Sequence, residues 1–170
     1  MRAAVYFVKT SLFITCLMAL TLSLGCKPKL LPSSNVKATR ENKEIIEFLE
    51  QYKAAVEKRS VEALMELVAK DYSDNMGTED PAQHTNYLTL KERLEKTLPR
   101  IEDSRLGLFV QHIKKLENGL YEVVFYFNNQ VLMNVPAGEK WLSVKEVSRM
   151  VLRKRTDKKS PYKFEILSGV

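Results

Sequence analysis

Cysteine is nearly missing from this chain, and its placement decides what chemistry is open. Only Cys16 and Cys26 occur in 170 residues. From residue 27 onward there is no thiol, which excludes a disulfide, a cysteine nucleophile and a cysteine-based zinc site there. Histidine is almost as scarce. His84 has no second histidine in its neighbourhood, so zinc is unsupported. A long apolar run is missing too. Residues 11–24 carry no charge, yet about 14 residues fall short of the roughly 20 that span a bilayer.

What is present at the start has a clear layout. Arg2 and Lys9 precede the apolar run, and small residues follow it, the order of a secretory signal peptide. The stretch Leu22-Ser23-Leu24-Gly25-Cys26 resembles the processing site of bacterial lipoproteins, in which Gly or Ala precedes an acylated cysteine. It departs from that pattern at Ser23, where a leucine is usual. The resemblance implies a cut before Cys26, acyl chains on Cys26 and an exported domain free of thiols. One chain anchors weakly and two or three hold firmly. An ordinary signal peptide, or an uncleaved anchor, is the alternative. Lys27 after the cysteine, by the same analogy, implies the outer membrane, facing the periplasm.

The chain carries +6 in all, and without Arg2 and Lys9 it has 25 bases against 21 acids. That balance is too mild for a nucleic-acid signature, and export removes nucleic acid as a partner. A hydrophobic share of 45% suggests one ordinary domain. About 130 residues bury roughly two-thirds of their unfolded surface, enough for a core without staples.

The expected division is a leader at 1–25, the lipidated cysteine and a flexible tether at 26–41, and a domain at 42–170. The tether holds Pro28, Pro32, Ser33, Ser34 and Asn35 without apolar periodicity. Its bases (Lys27, Lys29, Lys37 and Arg40) could lie on anionic head groups or be solvated. Helical spacing of Ile45, Phe48, Leu49, Tyr52, Ala55 and Val56 predicts a helix over 42–58. Ser60 reads as the cap of a second, over 61–70, with Leu64, Leu67 and Val68 inward. A polar loop follows over 71–86. Thr89 and Glu92 read as a capping box for a third helix that ends before Pro99.

From residue 104 the period becomes two. A strand over 104–115 places Leu106, Leu108, Val110 and His112 on one face. Asn118-Gly119 signals a tight turn. Over 120–135 the odd positions, Tyr121 to Val135, are apolar except Asn129, and so long a strand needs a bend, expected at Asn128-Asn129. Pro136-Ala137-Gly138 turns the chain into a second long strand over 140–155, and a last strand runs over 162–168.

Three helices and then four antiparallel strands make an α+β order that resembles the nuclear transport factor 2-like superfamily. The resemblance rests on Phe48, Tyr52 and Ala55, on Val61-Glu62-Ala63-Leu64, on Ser148-Arg149-Met150-Val151-Leu152 and on Phe164-Glu165-Ile166. It implies three helices packed in a strongly curved four-stranded sheet, a cone with an apolar cavity. Fold alone does not choose among isomerase, dehydratase, hydrolase and adaptor.

Enzymes of that fold use an Asp, a His or a Tyr inside the cone. The polar candidates are Tyr52, Tyr72, Asp74, His84, His112, Tyr126 and Asn129. For ligand contact the set is Tyr52, Tyr72, Phe125, Phe127, Asn129 and Met133. No Asp or Glu is expected on the apolar strand faces, which counts against a carboxylate-based isomerase. Asp71, Ser73 and Asn75 have calcium-loop spacing, but Met76 and Ala82 stand where Gly and Glu are needed. No catalytic set, metal or cofactor is expected. The expected role is binding of an apolar small molecule or an envelope partner. The rivals are a self-filled cone that pairs subunits through the sheet face of Tyr126, Gln130 and Leu132, and an enzyme for a hydrophobic substrate. The basic last hairpin (Arg149, Arg153, Lys154, Arg155, Lys158, Lys159 and Lys163) is either a site for an anionic partner or a solvated edge.

Overall fold

The computed structural model describes residues 29–170 except 76, 79, 81, 82, 137 and 158. The expected leader and the expected lipidation of Cys26 lie outside the described residues. Among the described residues no helix is long and apolar enough to cross a membrane.

The expected tether is corrected from residue 30 on. Leu30 bridges Lys37, and Ser34 runs parallel to Val110. The Asn35 N–H donates to the Val110 carbonyl at 2.9 Å, and the Val110 N–H donates to the Ser33 carbonyl at 3.0 Å. Ser34 is buried, and Val36 joins the core. The physical reason is the edge of the sheet at Val110, whose outward backbone groups need partners.

Thr39 caps helix α1 (Arg40–Glu57), its hydroxyl accepting the Asn42 N–H at 3.2 Å. Ile45, Phe48, Leu49 and Ala55 are buried at the expected spacing. Arg59 turns the chain with φ 54°, and Ser60 caps α2 (Val61–Leu67) by accepting the Ala63 N–H at 3.1 Å. Helix α2 stops three residues short of the expected Lys70. Val68 goes extended to bridge Ile166, and the Ala69 N–H donates to the Ile166 carbonyl at 2.9 Å.

The polar loop contains a small ladder, β1 (Ser73–Asp74) with β2 (Thr85–Asn86). Helix α3 (Tyr87–Thr97) follows at once, and its capping box is Asn86 with Thr89, not Thr89 with Glu92. The Asn86 Oδ1 accepts the Leu88 and Thr89 N–H groups at 2.9 and 3.0 Å, while the Thr89 hydroxyl accepts the Asn86 N–H at 2.8 Å. Asn is at least as good a cap as Thr, and the ladder already fixes Asn86 in extended backbone.

A short 3-10 turn (Leu98–Arg100) leads into four antiparallel strands in the order β3 (Ile101–Lys115), β4 (Tyr121–Val135), β5 (Gly138–Lys154) and β6 (Phe164–Ser168). The expected bend at Asn128-Asn129 is corrected. Pairing of β4 with β5 is unbroken from Tyr121 to Val135. The register slips lie in β3, between Ile101 and Asp103 and between Val110 and His112. An extra residue in the edge strand disturbs one ladder, whereas in β4 it would disturb two. Its effect reverses one expectation: His112 pairs with Val124 and is exposed, while Ile113 pairs with Val123 and packs on the core.

The core forms where α1 and α2 cover the start of β4, the end of β5 and β6. Val123, Met150, Leu152, Phe164 and Ile166 are fully buried there. Phe164 meets Phe48 and Tyr121 edge-on, with ring centroids 5.9 and 5.6 Å apart. Among the described residues the core runs from Val36 to Val170. Toward the β4–β5 hairpin the sheet outruns the helices, and Trp141, Leu142, Val144 and Val147 stay exposed.

Candidate functional site

Between α1 and the concave face of the sheet lies a cavity of about 570 Å³. Tyr52 and Val56 come from α1, Leu106 and Leu108 from β3, Phe125, Phe127 and Asn129 from β4, and Glu146 and Ser148 from β5. Ser168, Gly169 and Val170 close one side, next to Asp74, Asn75 and Gly77. Strand alternation explains the selection, since Leu106, Leu108, Phe125, Phe127 and Asn129 all face inward at facing positions of the β3–β4 ladder.

Of the six expected ligand contacts, Tyr52, Phe125, Phe127 and Asn129 line this cavity, and Tyr72 and Met133 do not. Met133 lies farther along, paired with Ile101 and Lys140. Tyr72 is buried behind the closing strap, where its hydroxyl donates to Asp74 Oδ2 at 3.3 Å and accepts the Val170 N–H at 3.3 Å. Asp74 also accepts the Gly169 N–H at 2.7 Å. His84 and His112 are exposed and outside the cavity, and Tyr126 is on the convex face.

One inward carboxylate was missed, and the expectation of none is corrected. Glu146 pairs with Phe127 and lines the cavity. The β5 sequence shows no alternation that would assign it a face. The hairpin length would have done so: closing between Val135 and Gly138 fixes every later pair, Phe127 with Glu146 included.

Burial pushes the Tyr52 phenol up to about 12. Burial first, and then the Asp74 carboxylate, push Tyr72 up to about 12 against the Val170 N–H. Both are neutral hydrogen-bonding groups at pH 7. Unfolded, they would ionise near the ordinary 10.0. Their contribution to stability is therefore full below pH 10 and drains as pH rises toward 12. The melting temperature is expected to fall across that window, and Tyr72→Phe to flatten the fall. Parallel curves for the two proteins would remove Tyr72 from the account. Asn129 accepts a long bond from the Ser104 hydroxyl at 3.4 Å. Its amide N–H groups and the Glu146 carboxylate have no protein partner among the described residues.

A second hollow of about 870 Å³ lies between α2, α3 and the β5–β6 turn. It is larger but its walls satisfy one another. Lys70 donates to the Tyr87 hydroxyl at 2.6 Å, Tyr162 to Glu66 at 3.5 Å, and Lys91 pairs with Glu95 at 3.6 Å. The cone is the better candidate site.

No protein-family model matches the sequence. No curated protein matches it either. Solved structures do resemble it. A nuclear transport factor 2-like superfamily protein from Salmonella enterica serovar Typhimurium superposes with TM-score 0.58 at 13% identity, over 75% of this chain and 86% of its own. A candidate dehydratase of the nuclear transport factor 2-like family from Streptomyces avermitilis gives 0.59 at 14% identity, over 76% and 93%. A candidate calcium/calmodulin-dependent protein kinase II association domain from Xanthomonas campestris gives 0.59 at 15% identity, over 85% and 91%. At such identities the likeness speaks for architecture alone, and that architecture matches the three α-helices and the antiparallel sheet β3-β4-β5-β6 of the described residues. The chain has the nuclear transport factor 2-like fold.

Proposed function

We propose that this is a bacterial envelope lipoprotein, anchored through acyl chains on Cys26 to the outer membrane on its periplasmic side, whose cone binds an apolar small molecule without turning it over. The observation that carries the binding role is the cavity. Its apolar wall includes Val56, Leu106, Leu108, Phe125 and Phe127, and its polar points include the phenol of Tyr52, the open amide of Asn129 and the unpartnered Glu146, beside Asp74, Asn75 and Arg149. That set fits an apolar body with one hydroxyl-like end, able to accept from the amide and donate to the carboxylate. No imidazole reaches the cavity, and its one phenol is held neutral. A neutral phenol suits a hydrogen bond to a held ligand.

The test is native mass spectrometry on the exported chain, purified from its own envelope without detergent. An added mass that disappears on denaturation, and that Asn129→Leu reduces by about 10-fold in occupancy, is expected. A bare mass in both proteins would end the carrier reading.

A second reading has its own observation. On the convex face Phe109, Tyr126 and Val147 form one cross-strand row over β3, β4 and β5, and are 39, 37 and 56% exposed. A bare dimer in the same experiment would favour pairing of subunits, or of an envelope partner, through that row.

A further inference from the structure

We propose that the end of the domain where the chain enters it is a docking face for an anionic phospholipid bilayer, so that the cone stands on this end with its β4–β5 hairpin pointing away. The orientation rests on the anchor at Cys26. The charge of the face does not.

The face is assembled from four distant parts of the sequence. Lys29 and Lys37 meet where the Ala38 N–H donates to the Lys29 carbonyl at 2.8 Å, beside the Leu30–Lys37 bridge. Arg40 opens α1, and its partner Glu44, at 3.5 Å, is shared with Lys154 from the end of β5 at 3.7 Å and Lys163 from before β6 at 3.3 Å. Glu41, one position after Arg40, holds Lys115 from the end of β3 at 3.0 Å and also takes the Tyr121 hydroxyl. Four bases thus pair with two carboxylates, and Lys29 and Lys37 lie on the segment that leads into α1. The side chains of Arg40, Lys115, Lys154 and Lys163 are 94, 57, 58 and 56% exposed. Leu30, bridged to Lys37, stands 49% exposed, an apolar contact of the kind a head-group layer accepts.

Three other bases of the last hairpin are neutralised locally. Arg149 pairs with Glu122, Arg153 with Asp71 and Glu165, and Arg155 with Glu165. Six bases against Glu41 and Glu44 leave the end where the chain enters with an excess of positive charge. Asn129 and Glu146 lie eight residues from Tyr121 and from Lys154 along β4 and β5, roughly 26 Å away at strand rise. The cavity then opens clear of the surface.

The test uses the chain from residue 27, which keeps every core residue among those described. It is mixed with vesicles of phosphatidylglycerol and phosphatidylethanolamine, or of phosphatidylcholine alone, and sedimented. Binding to the anionic vesicles at 50 mM salt and release at 0.5 M are expected, since the screening length shrinks from about 14 to about 4 Å. Lys154→Gln with Lys163→Gln is expected to weaken it by about 10-fold or more. Lys140→Gln with Lys145→Gln, the same charge removed near the hairpin, is expected to change it by less than about 2-fold. Equal binding to phosphatidylcholine, equal loss in the two variants, or retention on dextran sulfate without vesicle binding would each overturn the proposal. Acylation of Cys26 is read separately, from the mass of the amino-terminal peptide of the processed full chain, so the two ideas fail independently.

Discussion

Phe164→Ala is expected to remove about 4 kcal/mol of stability, the largest single loss in the domain. The ring is fully buried, on a strand of five residues, and it is the joint between helix and sheet. Phe48 of α1 meets it at an interplanar angle of 61°, and Tyr121 of β4 at 89°. Alanine would leave a cavity bounded by two aromatic rings that are themselves held by the backbone. It would also forfeit the edge-on contacts, which add about 1 kcal/mol beyond area. A domain of this size has about 5–15 kcal/mol in all. Thermal and urea unfolding should show a melting temperature lower by about 10 °C or more with an unchanged denaturant slope. A loss under about 1 kcal/mol would mean that β6 is not packed as described.

Gly169→Ala is expected to cost about 2–3 kcal/mol, far more than one methyl group ordinarily does. Gly169 has φ +89°, and a Cβ there would sit 2.1 Å from the Arg149 carbonyl oxygen and 2.8 Å from the Met150 Cα. Both obstacles are backbone within β5, so the strap must leave instead. It would give up the bonds from Gly169 N–H to Asp74 and from Val170 N–H to the Tyr72 hydroxyl. Gly119 supplies the comparison, with φ +79° and nothing within 4 Å of an added Cβ. Alanine there pays only the left-handed backbone, about 1 kcal/mol. Equal losses at the two positions would show that collision with β5 plays no part. Since the strap walls the cavity, Gly169→Ala should also loosen any ligand held there.

Apolar spacing revealed the elements and hid the connections. Ile45, Phe48, Leu49 and Ala55 marked α1, and the odd positions of β4 marked the concave face, because burial selects side chains at a fixed period. The segment around Ser34 has the composition of a tether, since backbone bonds to Val110, unlike side-chain burial, leave almost no trace in residue type. Glu146 escaped for a related reason. Near the hairpin β5 is exposed on both faces, so Trp141, Leu142, Val144 and Val147 are not sorted by side, and only the register with β4 tells inward from outward. Asn86 gives little cap signal in the sequence because the ladder that holds it pairs only two residues on each side.

The slip after Val110 has a consequence for chain length. Gln111 and His112 stand together between the inward Val110 and the inward Ile113, and both are exposed. Delete Gln111 and the alternation closes up by itself, with the same side chains still turned to the core. What would vanish is the local kink and the altered spacing beside the docked amino-terminal segment. Position 111 is thus a length-neutral place for the core and a length-sensitive one for curvature. Two chains that differ by a single residue here would share every inward side chain and yet close their cones to different widths.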